Sequence, residues 1–101
     1  MANSIKTYTK RNVTADTAVM TSPIGTTSPV IGLTISNVSG VNTDVTVRLG
    51  STHIVKNATV IAGSALVPIG GEQKIVVAAG QSIYVQATNA VDVVCSVLEQ
   101  N

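Results

Sequence analysis

The sequence has no phenylalanine, no tryptophan and only two tyrosines in 101 residues. An aromatic-centred core is excluded, and Val, Ile, Leu and Ala must fill the interior. Sugar sites lean on exposed aromatic platforms, and only Tyr8 and Tyr84 offer them. One cysteine, Cys95, rules out an internal disulfide. One histidine, His53, cannot seed a His-based metal cluster. Charge is also sparse. Six basic and five acidic residues leave a net of +1, without the basic face of a nucleic-acid binder. No run approaches the roughly 18 apolar residues of a membrane span, and the opening MANSIKTYTKR lacks the apolar core of a signal peptide.

What is present is β-branched. Val, Ile and Thr dominate, and such side chains suit a pleated surface better than a helix. No window carries an i, i+3, i+4, i+7 stripe over three turns. Alternation is clear instead. In 30–37, Ile31, Leu33 and Ile35 share one phase; in 44–50, Val45, Val47 and Leu49 do. Further strands are expected near 12–20, 53–61 (interrupted at Lys56-Asn57), 65–69, 74–78 and 82–88. The segment 91–99 is apolar in both phases and predicts a strand that is central or covered on both sides. Seven or eight short strands, with turns every 8–12 residues or so, define an all-β antiparallel sandwich, jelly-roll or Ig-like. Residues 12–101 form that single domain, and 1–11 form an N-terminal arm with no alternation of its own.

Two phrases repeat a device: an apolar run, then Ala62-Gly63-Ser64 or Ala79-Gly80-Gln81, then another apolar run. A glycine there permits the positive φ of a tight reversal, so each phrase reads as strand-turn-strand rather than a ligand loop.

Chemistry is scarce. Cys95 alternates with Val93 and Val97 and should be a buried, inert thiol. His53 follows a Gly-Ser-Thr turn and reads as a surface residue. Asp16, Asp44, Glu72, Asp92 and Glu99 read as solvated acids at turns and strand ends. PIGGEQK lacks the spacing of a phosphate loop. No catalytic residue, metal or cofactor is expected, and the chain reads as a module that presents surface rather than an enzyme.

Residues 30–99 resemble a group of small tailed-bacteriophage virion proteins. The likeness is carried by Ile35-x-Asn37, Val45-Thr46-Val47, Ala62 to Leu66, Lys74 to Ala87 and Asp92 to Glu99; it departs at Gln81, where the pattern prefers Asp, and at Ala78, where it prefers Leu. The resemblance implies a capsid decoration (cement) protein on the outside of the major capsid protein lattice. The alternative is a neck, tail or baseplate adaptor; a host-surface carbohydrate-binding module is more remote. It implies virion subunits as partners, self-association as a dimer or trimer, and neither nucleic acid nor membrane. The arm, with Lys6, Tyr8, Lys10 and Arg11, is the expected docking element. Tyr84, opposite the core phase of its strand, is a further interface candidate.

Overall fold

The protein is described by a computed structural model over residues 3–70 and 74–100; Glu72 lies outside the described residues. Nine strands build it: β1 (Asn3–Val13), β2 (Thr17–Thr21), β3 (Ser28–Asn37), β4 (Thr43–Leu49), β5 (Thr52–Val60), β6 (Ala65–Ile69), β7 (Ile75–Val77), β8 (Ser82–Ala87) and β9 (Val91–Gln100). They form two antiparallel sheets packed together as a β-sandwich. The larger runs β1-β9-β3-β6, with β7 also on β3; the smaller runs β2-β8-β4-β5.

Only β4–β5 and β6–β7 are consecutive strands that share a sheet. β6 pairs Leu33–Ser36 of β3 and β7 pairs Ser28–Val30, so the two form one broken strand. The resulting order is that of a jelly roll. The Ig-like alternative is corrected by the same observation. Its first two strands share a sheet, whereas β1 and β2 lie in different ones.

The inner rows are aliphatic. Val91, Val93, Cys95 and Val97 of β9 face Ile83 and Val85 of β8 and Val45 and Val47 of β4 across the interior, all essentially inaccessible. Each such Val or Ile is worth about 1.5–3 kcal/mol relative to exposure, and a one-residue slip would expose a whole row. The rows therefore fix the registers.

Three expectations change. First, the phase of β3 shifts. A bulge between Val30 and Gly32 inserts Ile31, so Val30 is buried and Ile31 only half-buried, while Leu33 and Ile35 stay inside. Second, the strand placed at 12–20 is two strands in different sheets, broken at 14–16. Third, residues 3–11, expected as an arm, belong to an edge strand paired with β9 from Asn3↔Gln100 to Lys10↔Val93. Alternation could not reveal β1, because past Val13 it buries no apolar row. Backbone hydrogen bonds hold it. The interruption at Lys56-Asn57 is real: Asn57 has φ 53° and the β4–β5 register shifts there.

The repeated phrases are corners. Ser64 N donates to Ile61 O at 3.0 Å, and Gln81 N to Ala78 O at 3.0 Å, around Gly63 and Gly80, both at φ 81°. These are type II turns, whose third position needs positive φ. The polar residue after each glycine closes the turn a second time. Ser64 Oγ donates to Ile61 O at 2.8 Å, and Ala78 N donates to Gln81 Oε1 at 3.1 Å. A third copy, unread in the sequence, spans Pro23–Thr26 around Gly25. All three carry the chain between sheets, so they are not hairpins.

Candidate functional site

The two outer faces differ sharply. On the larger sheet, Ile5 pairs Leu98, Pro29 pairs Val76, and the β3–β9 register sets Pro29 beside Leu98. An apolar row thus crosses four strands. The next row is Thr7, Ser96 and Gly32; the third is Thr9, Val94 and Thr34, with the exposed Val67 on neighbouring β6. None of these residues is charged. Ile5 is 73% exposed, Val67 57%, Val76 55% and Val94 43%. β9 is central in its sheet, as its sequence predicts. Its outer side is uncovered, so of the two readings, central or covered on both sides, the first holds.

The smaller sheet presents a polar face. Arg48 lies over the Tyr84 ring, 4.6 Å from its centroid. Its guanidinium also bonds the Asp16 carboxylate and donates to Gly50 O at 2.6 Å. One face of Tyr84 is therefore already occupied by a cation, a contact worth about 0.5–1 kcal/mol at a surface site. Beside it lies a shallow depression of about 250 Å³ lined by Asp44, Thr46, Asn57, Gln86 and Thr88. Its groups largely satisfy one another: Thr59 Oγ1 donates to Asp44 at 2.8 Å and Thr46 Oγ1 to Asn57 at 3.2 Å.

The third feature is on β1. Lys6, Tyr8 and Lys10 oppose Val97, Cys95 and Val93, so they share the inward phase. Glu99, next in that phase on β9, is only 8% exposed. This corrects its reading as a solvated strand-end acid. Tyr8 Oη donates to Glu99 Oε2, and Lys6 Nζ lies 3.4 Å from Glu99 Oε1. The hydrogen bond to Glu99, then burial, then the carboxylate's charge push the Tyr8 phenol up to about 12. Burial alone pushes the Cys95 thiol up to about 11.

The structure therefore brings Lys6 and Tyr8 together on Glu99. It leaves Lys10 and Arg11 exposed further along β1, and sets Tyr84 apart on the other sheet. His53 is exposed, opposite Arg48. Among the described residues, no three of His, Cys, Asp and Glu gather as a metal site. Sequence reasoning missed the uncharged face. Its one legible sign was β9, apolar in both phases at Val94 and Leu98. No family model, curated protein or solved structure matches the chain.

Proposed function

We propose that the protein is a structural component of a tailed-bacteriophage virion, a capsid decoration protein seated on the outside of the major capsid protein lattice. The observation that carries this reading is an uncharged three-row patch on the outer face of the larger sheet, with Asp92 in the row beyond it. Four strands at about 4.8 Å and three rows at about 6.8 Å span roughly 400 Å². Within that span Ile5, Leu98, Pro29, Val76, Val94 and Val67 are apolar, and Thr, Ser and Gly lie between them. The patch is about half of what one partner contributes to a stand-alone interface. Single contacts are then weak, and a repeating lattice multiplies them wherever neighbouring copies are linked. Two further points support the reading: the motif likeness over residues 30–99, and the jelly roll, an architecture recurrent in viral shell domains. The second is an analogy of fold and carries less weight.

The test is sedimentation of purified protein with particles stripped of it. Saturation at hundreds of copies per particle is expected, and Val94→Asp on the apolar face abolishes it while Tyr84→Ala on the polar face does not. Saturation at six or twelve copies selects the neck, tail or baseplate adaptor instead. Loss with Tyr84→Ala alone moves the interface to the polar face and refutes the assignment.

A further inference from the structure

β1 is held by its backbone ladder to β9 rather than by buried side chains. Its residues 4–12 bury no apolar side chain, and only Tyr8 packs partly against the core. Val13 is buried and anchors the strand's end. The link beyond it is tied to the smaller sheet. Ala87 N donates to Thr14 O at 3.0 Å, and Asp16 is held by Arg48. Between anchor and ladder sits an irregularity: the register shifts between Lys10 and Val13, and Asn12 is at φ 55°. Bulges of this kind bend and re-aim a strand. Residues 3–11 can therefore lift from β9 about Asn12 without opening the core.

What they leave behind is specific. A free β9 edge exposes a ladder of backbone donors and acceptors, and at its end Glu99 loses both partners, Tyr8 and Lys6. Opening therefore exchanges a hydrogen bond and an ion pair on this carboxylate for water. The vacated slot thus calls for an extended segment with a lysine and, two residues on, a tyrosine in the inward phase. Lys6-x-Tyr8 supplies that pattern. We propose that the β9 edge is a strand-acceptor site, and that residues 3–11 of a second copy occupy it by exchange between neighbours.

Each exchanged copy keeps every β1–β9 contact, so closed and exchanged forms differ mainly in entropy. A short tether corresponds to an effective concentration in the millimolar range. Dilute chains therefore stay closed, and crowded ones exchange. Exchange is a property of the isolated chain; only its use in linking copies side by side rests on the virion reading.

The test needs no particle. Full-length Thr7→Cys and Ser96→Cys variants, at positions that face each other across β1 and β9, are mixed under reducing conditions at about a millimolar, equilibrated, then oxidised. Cys95 is fully buried and stays out of reach. A crosslink between the two variants is expected, fading on equilibration at hundredfold lower concentration. Adding Tyr8→Phe to the Thr7→Cys chain leaves its extent unchanged, because the Glu99 bond exists in both forms. It quickens exchange about tenfold, the equivalent of one hydrogen bond lost on opening. In the wild-type chain, β1 amides exchange hydrogen at least a hundredfold faster than those of β3. Crosslinks no more frequent than between two Thr7→Cys chains, or β1 amides as protected as those of β3, overturn the proposal.

Discussion

Asn37 is the side chain on which the cross-sheet corner between β3, β4 and β5 turns. It is 4% exposed at the end of β3. Nδ2 donates to Val41 O at 2.7 Å and to Val60 O at 2.9 Å. Oδ1 accepts from Ser39 N at 3.0 Å and Ser39 Oγ at 2.7 Å. Asn37→Asp keeps the size and both acceptances, but it turns an oxygen toward two carbonyls. Two hydrogen bonds go, at about 0.5–1.5 kcal/mol each, and a buried carbonyl is left unsatisfied at about 1–3 kcal/mol more. The expected loss at pH 7 is therefore about 2–6 kcal/mol, a large share of the roughly 5–15 kcal/mol of a whole domain. In a domain of this size it lowers Tm by roughly 10–45 °C. Urea unfolding followed by far-ultraviolet circular dichroism measures it. The pH dependence separates this mechanism from simple misfit. The introduced carboxylic acid can donate to a carbonyl only when protonated, so its folded-state pKa lies above its unfolded value near 3.9. The deficit is full at pH 7 and shrinks as pH falls through the folded pKa. A loss under about 1 kcal/mol, or one that is flat between pH 7 and 4, refutes the donor role of Nδ2.

Three other outcomes follow from the described geometry. Stability declines in alkali, because the folded-state pKa values of Cys95 and Tyr8 are raised to about 11 and about 12. The neutral forms favour folding, so their contribution is intact below about pH 9 and is lost progressively from there to about pH 12. In a series of melts against pH, Tyr8→Phe removes the upper part of that decline and leaves the lower part. Gly80→Ala meets no atom within 4 Å but must hold φ 81°, so it costs about 1–2 kcal/mol, with little change in the urea m-value. The Cys95 thiol of the native protein reacts with an aromatic disulfide reagent only as fast as the domain opens, and its rate rises in step with urea; prompt modification in native buffer contradicts its burial.

The sandwich was legible wherever one face is buried. Leu33 with Ile35, Val45 with Val47, and Val93 with Cys95 and Val97 alternate as their burial requires. The glycine corners were legible as reversals, because Gly63 and Gly80 are followed by residues that close a turn. Their role between sheets was not, since local sequence does not say which sheet comes next. β1 was invisible to periodicity because Lys6, Tyr8 and Lys10 occupy its inward phase, and its order comes from backbone pairing with a strand some ninety residues away. Glu99 was misread for the same reason: its partners lie at the far end of the chain. The uncharged patch was hidden because it is assembled from alternate residues on five strands.

β9 lies between β1 and β3, yet it is translated after all eight other strands. The larger sheet thus has a gap at its centre until residues 91–100 emerge. At about 5–20 residues per second, β3 waits roughly 3–13 seconds on the ribosome for its central neighbour to be made. β1 waits throughout for a partner not yet made.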